Sequence, residues 1–241
     1  MKSYTIHLIR HGVTEGNLLG QYVGRTDLPL TPEGITQLEK LKKSSPYPQA
    51  QVYYCSPLKR CTQTLEILYP DAQPVIVDDF RECDFGDWEG KTAEGLTKEN
   101  SGFAAWMAGG KAVTPPNGEN GGAFMYRVCA AFEKIVEGML RSGVTDAVIV
   151  AHGGTIMSIL SAYGLPRANF YDWLTESGCG YSLRITPGLW MRSMVAEVYA
   201  TIPAKPADEN DSQKLVIDLA REAADRAYGE KEEKHLTNPD A

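Results

Sequence analysis

Two short apolar runs, Tyr4 to Ile9 and Ala147 to Val150, each end at a histidine followed by glycine: Arg10-His11-Gly12 and Ala151-His152-Gly153-Gly154. Nearly continuous apolar runs of this length suit strands buried on both faces, which is how parallel sheets are built. In an open parallel sheet ligands bind at the carboxyl ends of the strands, so the two histidines are expected to converge although 141 positions separate them. The neighbour of the first histidine indicates the kind of guest. A guanidinium beside an imidazole repels a metal cation and attracts phosphate or carboxylate. With no HExxH run and no paired CxxC spacing, neither a metal nor another cofactor is expected.

The remaining pattern predicts a three-layer α/β/α sandwich with a mostly parallel central sheet. Further strands are expected at Gln51 to Cys55 and Pro74 to Val77, with a closing pair at Tyr181 to Ile185 and Met194 to Tyr199 around a turn at Pro187-Gly188. Thr31-Pro32-Glu33 reads as an N-cap, a first-turn proline and an early acid, opening a helix with Ile35, Leu38 and Leu41 on one face. Ser56-Pro57 reads as a second such start, before Cys61, Leu65 and Leu68. Residues 86 to about 121, with glycines, Pro115-Pro116 and scattered aromatics, interrupt the rhythm and are expected to form an inserted lid region. A helix from about Gly122 to Leu140 then returns to the core.

At 241 residues and 43% hydrophobic content, one large domain over 1–202 is expected, followed by an acidic helical tail over 203–241. That tail carries 10 acidic and 6 basic residues of a chain whose net charge is −7. An acidic balance disfavours nucleic acid and anionic membranes as partners, and a homodimer is left open. Five cysteines, odd in number and without close pairing, suit reduced thiols in a cytoplasmic protein.

Each proposed parallel strand is followed within a few residues by a group suited to one site: Arg10 and His11, then Arg60, then Glu82, then His152. Asn17 adds a neutral donor, and Arg60 lies near a helix start that itself favours anions. Around a tetrahedral phosphate this set can do chemistry. A neutral imidazole attacks phosphorus, and Glu82, raised in pKa by a nearby anion, protonates the departing alcohol. Arginines and His152 stabilise charge on the equatorial oxygens. Gly153-Gly154 would let backbone amides approach the anion, and Thr14 is expected at the substrate. Arg25 suits either a second anionic group or a loop ion pair, Trp88 and Trp106 either a pocket wall or lid packing, and His7 a packed neutral position inside its strand.

These residues resemble the histidine phosphatase superfamily, also called the phosphoglycerate mutase-like family. Arg10-His11-Gly12-Val13-Thr14-Glu15-Gly16-Asn17 is similar to its R-H-G-x-T-x-x-N signature, and Ser56-x-Leu58-x-Arg60-x-x-Gln63-Thr64 to its second motif, with Cys61 and Leu65 in place of alanines expected only to pack. Arg81 to Gly90 is similar to its acid-bearing segment and matches the phosphatase branch. The resemblance, over about residues 1 to 200, implies a phosphorylated nucleophile at His11, a proton donor at Glu82, and a phosphate pocket of Arg10, Arg60 and His152 with Asn17 as auxiliary ligand. It also implies a phosphomonoesterase for a small phosphorylated metabolite, and it places Glu119 near the pocket. The alternatives are a phosphoglycerate mutase-type enzyme and a non-catalytic phosphate-binding protein.

Overall fold

A computed structural model of the chain describes residues 3–107 and 113–204. The expected tail helix, and His235 in the frayed end expected after Gly229, lie outside the described residues. Seven strands occur: β1 (Tyr4–Arg10), β2 (Val52–Cys55), β3 (Val75–Ile76), β4 (Asp146–Ala151), β5 (Gly164–Leu165), β6 (Gly180–Ile185) and β7 (Ala196–Ile202). They form one sheet in the order β3-β2-β4-β1-β6-β7-β5, antiparallel only where β6 pairs with β1 and β7. Both edge strands are two residues long, which limits the backbone offered for unwanted pairing.

Eight α-helices accompany the sheet among the described residues: α1 (Glu15–Leu18), α2 (Pro32–Ser44), α3 (Lys59–Leu68), α4 (Ala93–Glu99), α5 (Ser101–Met107), α6 (Gly121–Ser142), α7 (Gly153–Tyr163) and α8 (Pro187–Ser193). Alternation along β4 makes the layers. Val148 and Val150 join Leu38 of α2 and Cys61, Leu65 and Leu68 of α3 in one core cluster. Ala147, Ile149 and Ala151 face the opposite cluster, with Val128, Phe132 and Val136 of α6 and Ile156 and Leu160 of α7. The sheet is therefore covered on both faces, as the runs of buried apolar residues in β1 and β4 require.

Local signals explain several boundaries. Thr31 accepts from the Gly34 N–H at 3.0 Å and Pro32 occupies the first turn, as expected for α2. Asn120 caps α6 by accepting from Gly122 and Ala123, and Gly143 ends it at φ 77°. Two expectations are corrected. Ser56 does not cap α3, which starts three residues later; the Lys59 N–H there is satisfied by Asp27 Oδ1 at 2.7 Å. Pro187-Gly188 opens α8 instead of a turn, because proline fits a first helical position as well as it fits a bend. The segment after Gly86, where the insertion is expected, carries a short 3-10 turn, Gly86–Trp88, and helices α4 and α5.

In that segment Trp88 and Phe103 are buried and Trp106 is partly buried against the α6/α7 cluster, the packing alternative for these aromatics. His7 is buried with Nδ1 2.9 Å from Ser182 Oγ, and burial lowers its pKa, in keeping with a packed neutral ring. Among the described residues no helix is long and apolar enough to cross a membrane.

Phe132 stacks on Tyr163 at 5.6 Å and meets Trp190 edge-on at 6.0 Å, with no exposure of its own. Phe132→Ala is expected to cost about 3–5 kcal/mol in urea denaturation, while orthophosphate affinity of the folded variant stays unchanged.

Candidate active site

The pairing of β1 with β4 sets Arg10 opposite Ala151, so the next residue on each strand is a histidine. The His11 N–H donates to the Ala151 carbonyl at 3.0 Å, and the two imidazoles meet edge-on with centroids 5.3 Å apart. The convergence expected across 141 positions is thus a direct result of sheet register.

Hydrogen bonding assigns the tautomer of each ring. His11 Nδ1 lies 2.6 Å from the Gly12 carbonyl oxygen, which can only accept; Nδ1 therefore carries the proton and Nε2 has the lone pair. Burial first, then Arg60 and Arg10, push the His11 pKa well below its ordinary 6.5, so the ring is neutral. His152 Nδ1 accepts from Arg60 Nε–H at 3.1 Å, which puts its proton on Nε2, facing Ser56 Oγ at 2.8 Å. Burial, then Arg60 and His11, hold it neutral as well. Ser56 thus serves the second histidine and not a helix end. Cys61 packs as expected, yet its Sγ also lies 3.5 Å from His152 Nε2, with a thiol pushed far up in pKa by burial.

The guanidiniums are oriented by backbone carbonyls. Arg60, 1% exposed, donates through one terminal nitrogen to Thr26 O at 2.9 Å and through the other to Gly24 O at 2.7 Å. Arg10 donates to Thr175 O at 2.6 Å, and its Nε is buried without a partner. Gly12 N–H donates to Thr64 Oγ1, whose hydroxyl donates to Arg60 O, tying the exit of β1 to α3.

Glu82 lies in the same charged pocket. Its Oε1 accepts from Cys83 N–H at 2.9 Å and its Oε2 from Gly154 N–H at 2.8 Å, at the first turn of α7. These bonds and the two arginines favour the carboxylate, but burial outweighs them and the pKa is raised. The Gly154 amide therefore faces the carboxyl group and not the pocket for an anion, contrary to the expected role of Gly153-Gly154. A Cβ on Gly154 would collide with Glu82 Oε1, whereas one on Gly153 would make ordinary contact with the Arg10 side chain.

The other expected residues lie nearby with partners of their own. Asn17 Oδ1 accepts from the Thr14 N–H and hydroxyl at 3.0 and 2.9 Å, leaving its amide nitrogen as the donor side. Thr14 is buried in that turn with its one donor engaged. Arg25, on an exposed loop, lies 3.9 Å from Glu119, the ion-pair alternative.

Sequence reasoning missed Arg127 altogether. From α6 its Nε and one terminal nitrogen grip Glu119 at 2.7 and 2.8 Å, and its terminal nitrogens also donate to the carbonyls of Asp79, Arg81 and Glu82. One side chain thus fixes the loop that presents Glu82, and nothing in the local sequence marks an arginine in mid-helix for that purpose.

The family model described as histidine phosphatase superfamily (branch 1) matches residues 6–196. The chain belongs to the histidine phosphatase superfamily. This histidine phosphatase is 33% identical over 190 residues to the adenosylcobalamin/alpha-ribazole phosphatase of Salmonella typhimurium, covering 75% of this chain and 90% of that protein. It is 29% identical to a 2,3-bisphosphoglycerate-dependent phosphoglycerate mutase of Cytophaga hutchinsonii, with coverage of 64% and 74%. Among solved structures, the alpha-ribazole phosphatase of Shigella flexneri superimposes with a TM-score of 0.67 at 27% identity, covering 80% of this chain and 94% of that one. The α/β fold of this phosphatase matches that structure.

If Glu82 serves as the general acid, Gly154→Ala, which displaces its carboxyl group, is expected to lower turnover by about 10²-fold with little change in KM. Steady-state kinetics on p-nitrophenyl phosphate and on an alkyl phosphate check it, the alkyl ester losing more because its leaving group needs the proton.

Proposed function

We propose that this phosphatase hydrolyses a phosphomonoester of a small metabolite through phospho-His11. The observation that carries the reading is the His11 tautomer. A neutral ring with its proton fixed on Nδ1 by Gly12 O has its lone pair on Nε2, the form that an attack on phosphorus needs. As Nε2 bonds to phosphorus, the ester P–O bond breaks and Glu82 gives its proton to the departing alcohol oxygen. Water then attacks phosphohistidine, Glu82 takes the water proton, and the N–P bond breaks to release orthophosphate.

The remaining residues serve the phosphoryl oxygens. Arg10 has a buried Nε without a protein partner, and three of the five Arg60 donors are already engaged in holding the group in place, which leaves two for an anion. Preorganised cations in a buried pocket stabilise the transferring group without reorganisation at the moment of reaction. His152 holds Arg60 against the phosphate and walls the pocket beside His11, and the amide of Asn17 is an auxiliary donor. The names of the relatives make α-ribazole phosphate the first ester to assay.

His11→Ala is expected to lower kcat by at least about 10³-fold, and rapid acid-free quenching of the wild type should trap an acid-labile phosphoryl group on the peptide containing His11. A fully active variant overturns the reading. The pH profile follows from the two shifts. Because the His11 pKa is lowered, attack persists below the ordinary imidazole range; because the Glu82 pKa is raised, its acid form persists above the ordinary carboxyl range and is lost as pH climbs further. Turnover of an alkyl phosphate should therefore fall on the alkaline side, and Glu82→Gln should abolish that limb. The mutase relative motivates one rival assay: with 3-phosphoglycerate and its bisphosphate primer, 2-phosphoglycerate forming faster than orthophosphate would favour phosphotransfer over hydrolysis.

A further inference from the structure

Glu89 contacts none of the groups assigned to the reaction, yet four backbone N–H groups converge on its carboxylate. Oε1 accepts from Gly24 and Arg25 at 2.9 Å each and from Phe85 at 3.2 Å, and Oε2 accepts from Thr26 at 3.2 Å. Three consecutive amides on one carboxylate make an anion nest filled by the protein itself. The loop that forms this nest is the one whose carbonyls hold Arg60.

The geometry of a trans peptide links the two halves. In the unit joining Gly24 to Arg25, the N–H and C=O point in opposite directions. With the Arg25 N–H aimed at Glu89, the Gly24 carbonyl is directed to the other side, where Arg60 donates to it at 2.7 Å. Carboxylate, peptide and guanidinium thus form one hydrogen-bonded series in which each member polarises the next. Gly24 is required for the approach, because a Cβ there would collide with the Cys83 carbonyl oxygen. Asp27 fastens the far end of the loop by accepting from the first amide of α3.

We propose that Glu89 is a positioning residue for the phosphate clamp, setting the direction of Arg60 through the Gly24–Arg25 peptide. The inference rests on the reading of Arg60 as a phosphate ligand. Removing the carboxylate frees four amides, the Gly24–Thr26 loop relaxes, and the Gly24 and Thr26 carbonyls no longer fix the guanidinium fork. Affinity for the anion falls while the nucleophile and the acid stay in place.

The test is an equilibrium titration of orthophosphate, followed by phosphorus NMR, into the full chain carrying Glu89→Ala, Glu89→Gln, Arg60→Ala or both Glu89→Ala and Arg60→Ala, with circular dichroism to confirm folding. Glu89→Ala is expected to weaken orthophosphate about tenfold, and the isosteric Glu89→Gln, which keeps one acceptor oxygen for the nest, about threefold. In the Arg60→Ala background the Glu89 substitution should cause no further loss, since the residue it acts through is gone. A merely structural role would lower the melting temperature without this selective non-additivity. Normal orthophosphate affinity in folded Glu89→Ala or Glu89→Gln, or a full extra loss in the double variant, overturns the inference alone. Normal affinity in Arg60→Ala overturns the reading of the site on which it rests.

Discussion

The register that places Arg10 of β1 opposite Ala151 of β4 is the constraint on which the site depends. Strand pairing has a side-chain period of two and both strands are buried on both faces, so a slip of one residue would send each apolar set into the layer packed for the other. Ile6, Leu8, Ile149 and Ala151 enter one core cluster and Ile9, Val148 and Val150 the other, so the observed pairing buries apolar side chains on both faces at once. The histidines are brought together as a by-product of that packing. Specificity of the hydrophobic core thus becomes precision at the site, and no flexible loop is asked to supply it.

The site also gathers charges that water would otherwise keep apart. Two guanidiniums and one carboxyl group share a buried pocket, and the cost of removing them from water is met in two ways. Carbonyls of Gly24, Thr26 and Thr175 take the arginine donors, and both histidines remain neutral so that no further positive charge accumulates. The same desolvation that lowers the imidazoles raises Glu82. A single physical cause therefore shifts the imidazole toward its neutral form and the carboxyl group toward its acid form within one pocket.

Much of this was legible in the residues themselves. Apolar runs ending in His-Gly marked β1 and β4, Thr31-Pro32 marked the start of α2, and the regular spacing of Arg10, His11, Arg60, Glu82 and His152 after successive strands anticipated one shared pocket. What escaped was whatever depends on a partner far along the chain. Ser56 has the local signature of a helix cap, but the His152 ring claims its hydroxyl. Gly154 reads as an anion-binding amide, but Glu82 claims it. Arg127 and Glu89 reach loops 45 and 65 residues away by sequence, Arg127 bonding to the Glu82 carbonyl and Glu89 to the Gly24 amide, and no periodicity records such a contact. The helices α4 and α5 were obscured by glycines and by aromatics that pack inward without a long amphipathic repeat.

Tyr22 joins parts of the chain that lie far apart in the sequence. Its ring packs edge-on against Phe85, Phe103 and Trp106, at centroid distances of 5.2 to 5.8 Å, and so joins the α5 segment to the strip of backbone that begins two residues later at Gly24. A change in the packing of α5 that moves this ring is therefore passed along the backbone to the carbonyls that hold Arg60, so a helix that never touches the guanidinium has leverage on its aim.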